Sequence, residues 1–193
     1  SHLDGRKIVF TPKSVIDIQP KIGSDIVMVL DDCAPFPANE KRLSSAVIRT
    51  REWAKRSIEY WQTQKVGERG LFGIVQGGVN SELRKRSLKD IQNLPFDGIA
   101  IGGVSVGEGK DNMLSTVDFI ASDLDPMRPH YLMGVGDPID LIRMVHRGID
   151  MFDCVLPTRL ARHGAFWTTD FQRLNIKRVE YVNQTMPLDP KCR

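Results

Sequence analysis

The segment LFGIVQGG at residues 71–78 is an apolar run that ends in a glutamine and two glycines. A strand with one face in water alternates apolar and polar residues, so this run predicts a strand buried on both faces. Four other short segments share this character: DIVMVL (25–30), GIAIGG (98–103), YLMGVG (131–136) and MFDCVL (151–156). Strands buried on both faces are typical of parallel sheets covered by helices.

Helical patterns separate these strands. The segment TPKSVIDIQ starts with Thr11 as a predicted N-cap and Pro12 at the first helical position. Residues 39–65 predict one long helix with an apolar stripe at three- and four-residue steps: Leu43, Val47, Thr50, Ala54, Ile58 and Trp61. Further helices are predicted in SELRKRSLKDIQNL, DNMLSTVDFIASDL and DPIDLIRMVHRG. The alternation fits both a (β/α)8 barrel and a doubly wound sheet, and periodicity does not separate them.

The pattern changes towards the end of the chain. The segment AFWTTDFQRLNIKRVEYV predicts short antiparallel strands with a turn near Asp170. We therefore predict two regions, a partial barrel at residues 1–163 and a basic β segment at residues 164–193. Because five buried strands are predicted and a closed barrel needs eight, we expect the chain to be an internal part of a larger protein.

Charge is concentrated in the last part of the chain. The net charge of the 193 residues is +3. Residues 159–193 hold seven Lys and Arg against three Asp and Glu, whereas the preceding residues hold 20 basic and 21 acidic side chains. A polyanionic partner and a merely solvated basic surface both fit this distribution.

Composition excludes some classes of protein. No apolar run approaches the roughly 18 residues of a membrane helix, so we expect no membrane partner. The three cysteines, Cys33, Cys154 and Cys192, are too far apart to indicate a disulfide framework. We therefore expect a reducing, cytoplasmic location.

Chemically active residues follow the predicted strands. In parallel α/β folds the active site lies at the carboxyl ends of the strands. Those ends carry Asp31-Asp32-Cys33, Gln76-Gly77-Gly78, Gly102-Gly103-Val104, Met133-Gly134-Val135-Gly136 and Asp153-Cys154. Each group alone has a simple structural explanation: a helix cap, a turn, or, for Met133 and the cysteines, packing. The glycine pairs lack the spacing of a phosphate-binding loop.

Together these groups predict a nucleobase site. A carboxylate accepts from N1–H and N2–H of guanine, while an amide side chain and a backbone N–H can donate to O6. Asp153 is then available as a nucleophile. A carboxylate inside an apolar strand also needs a partner or a function, because burying it unpaired costs free energy.

The chain resembles the tRNA-guanine transglycosylases, which replace guanine at the wobble position of certain tRNAs with a deazaguanine base. The similar segments run from the first residue to the last, in the family's order: SHLDG, GSDIVMVLDDC, FGIVQGG, FDGIAIGGVSVGEG, HYLMGVG, RGIDMFDCVLPTR and MPLDPKC. The resemblance implies a (β/α)8 barrel with a zinc-binding subdomain.

The resemblance also implies residue roles. Asp153 matches the nucleophile that attacks C1′ of the ribose and holds the tRNA covalently. The other matched positions contact the base or the RNA. Asp31, Gln76 and Gly103 would bind the guanine-like base, the Val104 carbonyl the aminomethyl group of the incoming base, Cys33 and Met133 would line the pocket, and Arg159 and Arg162 would engage the anticodon.

The family contains bacterial enzymes that use preQ1 and eukaryotic enzymes that use queuine. Cys33 and Val106 resemble the bacterial type, so we predict preQ1 as the incoming base, with a queuine-using enzyme as the alternative. The resemblance also implies a homodimer.

Two departures from the family pattern bear on activity. The family's other catalytic aspartate, in an Asp-Ser-Gly-Gly motif, is not in this sequence, and of its zinc ligands only Cys192 is present. We expect structural Zn²⁺ in the full-length enzyme and none in this chain. We therefore predict that the chain alone neither binds zinc tightly nor catalyses base exchange.

Three rival hypotheses remain. The first is a non-catalytic tRNA-binding relative, against which the presence of Asp31 and Asp153 argues. The second is a phosphate-binding barrel enzyme that acts on a small metabolite, and the third is a structural fragment without a site.

Overall fold

The structure, a computed structural model, describes residues 4–65 and 67–192. The first three residues of the SHLDG segment and Arg193 of the basic tail lie outside the described residues. In the described part, the parallel strands are β1 (Ile26–Met28), β2 (Gly70–Val75), β3 (Gly98–Ile101), β4 (His130–Leu132) and β5 (Met151–Phe152). The α-helices are α1 (Pro12–Lys21), α2 (Glu40–Trp61), α3 (Ser81–Gln92), α4 (Lys110–Ala121), α5 (Pro138–Val145) and α6 (Leu156–Arg162).

The order of the strands decides between the two predicted architectures. Strands β1 to β5 form one parallel sheet in which the spatial order is the chain order. A doubly wound sheet reverses its order at a switch point, whereas a barrel adds each strand to the same side. The fold is therefore a curled parallel half-barrel, consistent with part of a (β/α)8 barrel.

The predicted positions of the strands are confirmed, but each strand ends earlier than its apolar run. Strand β3 ends at Ile101, and Gly103 adopts a φ of +64°, which turns the chain out of the sheet. A hydrophobic run predicts burial and not hydrogen-bond pairing, so it overestimates strand length. The residues beyond each strand form loops at one edge of the sheet.

The prediction for the fifth strand is wrong beyond Phe152. The chain leaves the sheet there, and residues Leu156–Arg162 form α6, with Pro157 in its first turn. Asp153 consequently lies after the strand and is exposed, so it bears no burial cost. The apolar residues around it suggested a continuous strand because Val155 and Leu156 belong to the following turn and helix.

The predicted starts and faces of the first two helices are confirmed. The Thr11 hydroxyl accepts a hydrogen bond from the Ser14 N–H, and the Ser14 hydroxyl accepts one from the Thr11 N–H, which forms a capping box. The stripe of α2 is buried from Leu43 to Ile58, while Trp61 is half-buried. This face packs α2 against the sheet.

The core lies between the sheet and its helices. Strands β2 and β3 are buried almost throughout, and Ile99, Ala100 and Ile101 are 0% exposed. Since these strands bury side chains on both faces, the absence of polar alternation in the sequence has its explanation here.

The last part of the chain forms the predicted antiparallel pair. Strands β6 (Ala165–Trp167) and β7 (Arg173–Asn175) pair antiparallel, with a turn at residues 169–170. The division of the chain at residue 163 into two domains stays a prediction. Among the described residues, no helix is long and apolar enough to span a membrane.

Candidate functional site

The carboxyl ends of β1 and β2 meet in a hydrogen bond between Asp31 and Gln76. The Gln76 Nε2 atom donates to Asp31 Oδ2 at 2.6 Å, and Gln76 is only 2% exposed. Burial raises the pKa of Asp31 above its ordinary value, while the Gln76 hydrogen bond opposes that rise. An acceptor and an amide are thus held side by side at the edge of the half-barrel.

The neighbouring aspartate has a different role. Asp32 accepts from Arg42 through both oxygens, at 2.6 and 2.9 Å, and also accepts from Arg49. Arg42, more than Arg49, lowers the pKa of Asp32. Asp32 anchors the loop to α2, whereas Asp31, the position that the resemblance assigns to base binding, faces Gln76.

The glycines after β3 pack directly against the Gln76 amide. A Cβ on Gly102 would lie 2.8 Å from Gln76 Nε2, and a Cβ on Gly103 would overlap Gln76 Oε1. Gly103 also has a φ of +64°, a conformation that residues with a Cβ rarely adopt. These positions need glycine because the backbone itself forms a wall beside Asp31 and Gln76.

Arg84, which sequence reasoning missed, lies behind this wall. It is 0% exposed and donates to four carbonyl oxygens: those of Val75 (3.1 Å), Gly78 (2.8 Å), Gly102 (2.6 Å) and Gly103 (2.9 Å). The helical spacing offered a signal, since Arg84 falls on the same face of α3 as Leu88 and Ile91, which are buried.

Glu108, also missed, orders the loop after β3. Its carboxylate accepts from the N–H of Ser105 and, at 2.8 Å, from that of Val106. Because the C=O and N–H of a trans peptide point in opposite directions, the Val104 carbonyl faces away from Glu108. No local pattern in SVGEG distinguished this buried glutamate from a solvated one.

Asp153 is held by groups from the end of β4. Its Oδ1 accepts from the Tyr131 hydroxyl at 2.6 Å and from the Gly134 N–H at 2.8 Å. Burial and the Asp153 hydrogen bond raise the pKa of Tyr131, so its phenol stays protonated and donates. Both donors bind Oδ1, and no described residue donates to Oδ2. The carboxylate is exposed, oriented and open to an incoming group.

The loop after β3 connects the two carboxylate centres. A Cβ on Gly134 would lie 3.9 Å from the Ser105 side chain, so the loop that carries Gly103 and Val104 contacts the loop that orients Asp153. The base-binding and nucleophile groups therefore lie at the same edge of the half-barrel.

A cavity lies beside these groups and not on them. It has a volume of about 670 Å³, and its lining includes Gly134, Cys154 and Arg159. Cys154 is half-buried, and a Cβ on Gly136 would overlap its Cβ, as expected for a packing residue. Arg159 reaches this cavity, whereas Arg162 is exposed on the same helix and does not line it.

The remaining predicted site residues differ in burial. Val104 is 4% exposed and belongs to the core, and Met133 is half-buried against it. Cys33 is exposed, so the expectation of a buried packing cysteine is wrong at this position. Cys192 lies far along the chain, near Asp189, and outside the cluster.

The described residues do not form a zinc site. They contain no group of three or more His, Cys, Asp and Glu side chains arranged to hold a metal ion. A structural zinc site needs four ligands, and Cys192 supplies one candidate thiolate.

Base recognition and covalent capture are the chemistry that this arrangement supports. A paired acceptor and amide beside a backbone wall can recognise a planar heterocycle, and an oriented carboxylate next to them can attack an electrophilic carbon.

Comparison with known proteins identifies the family. Residues 1–193 match the family model described as Queuine tRNA-ribosyltransferase, and the chain belongs to this family. It is 50% identical over 192 residues to a queuine tRNA-ribosyltransferase from Leptospira biflexa, covering 100% of this chain and 51% of the relative. It is 49% identical to one from Thermodesulfovibrio yellowstonii, covering 100% and 50%. The chain thus spans about half the length of the curated relatives it matches.

Proposed function

We propose that this chain is part of a transferase that replaces guanine at the wobble position of tRNA with preQ1, through a covalent bond between Asp153 and the ribose. The observation that carries the proposal is the presence of two centres at the same edge of the half-barrel. One is Asp31 with the Gln76 amide, and the other is Asp153 with Tyr131 and Gly134. Family membership supports the activity and tRNA as partner.

The proposed chemistry is a double displacement at C1′ of the ribose. Departure of guanine builds positive charge on the ribose, and the Asp153 carboxylate stabilises this charge and forms a C1′–O bond. Guanine takes up a proton at N9 from solvent as it leaves. The incoming base then loses its N9 proton to solvent, attacks C1′ from the side opposite Asp153 and releases the Asp153 carboxylate. Two inversions retain the configuration, and one N-glycosidic bond replaces another without a redox step.

Asp153 suits the part of nucleophile in this scheme. Its Oδ1 accepts hydrogen bonds from Tyr131 and Gly134, and these two bonds fix the orientation of the carboxylate, including Oδ2. Two hydrogen bonds to one oxygen restrict rotation of the carboxylate, so less entropy is lost when the attacking geometry forms.

Asp31, Gln76 and Gly103 suit the part of base recognition. We propose that Asp31 accepts from N1–H and N2–H, and that the Gln76 amide and the Gly103 N–H bind O6. Gln76 Nε2 donates one of its two N–H groups to Asp31, and its second N–H can donate to O6.

The choice of preQ1 rests on the loop after β3 and on Cys33. The Val104 carbonyl faces away from Glu108, which leaves it available to accept from an aminomethyl group. Exposed Cys33 and Val106 are the residues by which this chain resembles the preQ1-using type. Labelled queuine incorporated as fast as labelled preQ1 by the full-length enzyme would contradict this choice.

Other properties belong to the full-length protein. We propose a structural zinc ion there, with Cys192 as one ligand, as well as a homodimer and a cytoplasmic location where tRNA is available. None of these enters the steps above. The proposal that Cys192 is a zinc ligand is tested by measuring the zinc content of the full-length protein and of its Cys192→Ser variant, which should hold less zinc.

Substitution of Asp153 tests the covalent step. Asp153→Asn in the full-length enzyme should abolish the tRNA adduct on a denaturing gel and lower base exchange about a thousandfold or more, because an amide is a poor nucleophile. The measurement is incubation of the protein with tRNA and a guanine analogue, followed by electrophoresis.

A matched variant controls for general damage. Asp123 is exposed at the end of α4, and Asp123→Asn should leave the adduct unchanged. An adduct of normal intensity in Asp153→Asn would overturn the mechanism. If neither wild type nor variant forms an adduct although both bind tRNA, the rival hypothesis of a non-catalytic tRNA-binding relative is supported.

A further inference from the structure

Arg84 is a buried cation that the proposed chemistry does not use. It lies on α3 with 0% of its surface exposed, and burial lowers its pKa to about 10, so it remains protonated at neutral pH. No carboxylate of a described residue forms an ion pair with it. Removing a guanidinium from water without a counter-ion costs free energy, so this position calls for an explanation.

The four acceptors of Arg84 come from two adjacent strand ends. Val75 and Gly78 belong to β2 and the loop after it, and Gly102 and Gly103 follow β3. Nη1 binds two carbonyls and Nη2 and Nε bind one each, which uses the fixed, planar shape of the guanidinium. A lysine ammonium has three donors and cannot reproduce this pattern.

These hydrogen bonds set the direction of the backbone N–H groups in the pocket wall. The Gly102 carbonyl points at Arg84, so the N–H of the same peptide, that of Gly103, points the opposite way. Likewise the Gly103 carbonyl points at Arg84, and the Val104 N–H points away. Among the described residues, no acceptor binds the Gly103 N–H. A backbone donor is thus presented on the side of the peptide that faces away from Arg84.

We propose that Arg84 is a positioning residue that directs the Gly103 N–H at the oxygen on the six-membered ring of the bound base. This inference rests on the proposed function. Arg84 acts from behind the pocket and touches no substrate atom. It holds the Gly102–Gly103 peptide in the orientation that distinguishes a base with an oxygen acceptor from one without.

Base analogues separate this role from a merely structural one. Hypoxanthine lacks the 2-amino group that Asp31 would bind, and 6-thioguanine keeps that edge but replaces O6 with the weaker acceptor sulfur. Dissociation constants for guanine, hypoxanthine and 6-thioguanine are measured by calorimetry for the full-length wild type, Arg84→Lys and Arg84→Met. Arg86→Met is the matched control, because Arg86 is exposed on the same helix.

The expected result is a selective change. Both Arg84 variants should bind guanine about tenfold more weakly, the worth of one well-aligned hydrogen bond, and should show a reduced preference for guanine over 6-thioguanine, because the Gln76 amide still binds O6. Their preference for guanine over hypoxanthine should stay within about twofold of wild type, and Arg86→Met should match wild type throughout. An unchanged preference over 6-thioguanine in the Arg84 variants, or an equal loss of both preferences, would overturn the inference.

The outcome distinguishes this inference from the proposed function. If the wild type fails to bind guanine, the proposed function itself fails. If the wild type binds guanine selectively and the Arg84 variants keep the same selectivity, only the role of Arg84 fails.

Circular dichroism shows whether the Arg84 variants fold. If they do not, a second measurement tests the inference on the wild-type protein. In wild-type protein with ¹⁵N-labelled glycine, guanine should shift the Gly103 amide proton downfield, and 6-thioguanine should shift it less. A Gly103 signal that does not move when guanine binds would overturn the inference without any substitution.

Discussion

At the scale of single residues, neighbouring side chains of the same type have opposite environments. Asp31 is drawn into the pocket with Gln76, whereas Asp32 is neutralised by Arg42 and Arg49. Burial raises the pKa of Asp31, and the Arg42 hydrogen bond lowers that of Asp32. The two carboxylates should therefore influence folding stability in opposite directions.

Asp31→Asn should raise the free energy of unfolding at neutral pH. With its folded pKa raised, Asp31 holds its proton in the folded state over a pH range in which the unfolded chain has lost it, so stability falls as the pH rises through that range. The amide removes this loss. Thermal melting of the full-length protein at several pH values measures the effect, and a lower melting temperature in the variant would contradict it.

Asp32→Asn should have the reverse effect. The lowered pKa of Asp32 contributes stability that is present above the unfolded value and is lost as the pH falls through the folded one. Because the ion pairs are partly open to water, the expected loss is about 1 kcal/mol at neutral pH. Chemical denaturation at neutral and acidic pH measures it; a loss that does not diminish in acid would point to another cause.

At the scale of elements, helix-to-sheet packing depends on where β2 lacks a side chain. Gly73 faces Ile91 of α3 and the ring of Phe96 beyond the end of that helix. A Cβ on Gly73 would lie 2.5 Å from the Phe96 ring and 2.6 Å from Ile91 Cγ2. A Cβ on Gly70, at the start of the same strand, would make only ordinary van der Waals contacts, the nearest at 3.5 Å to Asp97 Cβ. The two glycines of β2 thus differ in whether the surrounding structure has room for an added methyl group.

Gly73→Ala should destabilise the fold by about 1–3 kcal/mol, because the added methyl group overpacks the interface between β2 and α3. Gly70→Ala is the control and should change the free energy of unfolding by less than about 0.5 kcal/mol. Urea denaturation of both variants measures the difference. Equal stability of the two variants would show that Phe96 and Ile91 can move aside without cost.

The helices and strands also show which boundaries a local sequence pattern can predict. Thr11 and Pro12 predicted the start of α1, because a cap depends on residues within one turn of each other. The end of β5 was not predictable, because strand pairing depends on a partner distant in the sequence. Apolar Val155 and Leu156 continue the pattern of burial after the hydrogen-bonded ladder has ended at Phe152.

At the scale of the whole molecule, a helix with two arginines follows the nucleophile. Helix α6 follows Asp153 within a few residues and exposes Arg159 and Arg162. We expect a polyanion that reaches Asp153 to pass close to these arginines. Phosphate contacts of this kind release counter-ions and make binding sensitive to salt.

Arg159→Ala and Arg162→Ala should each weaken binding of tRNA by the full-length protein and reduce the slope of log affinity against log salt by about 0.7, the value for one contact to single-stranded nucleic acid. Filter binding between low and physiological salt measures the slope. The control is Arg56→Ala, which should leave the slope unchanged. Arg56 is exposed on α2. Slopes that stay at the wild-type value in both α6 variants would show that these arginines do not contact phosphate.

The sequence by itself determined the order of β1 to β5 and of α1 to α5, the buried character of the sheet and the line of chemical groups at the strand ends. These features depend on residues near one another in the chain, for which apolar spacing and caps are sufficient signals. Tertiary structure alone decided the singly wound order of the sheet, the pairing of Asp32 with Arg42 and Arg49, and the burial of Arg84 behind Gly102 and Gly103. Each of these depends on contacts between groups far apart in sequence, and the physical reason is that a charged side chain takes its role from the partners that folding brings to it.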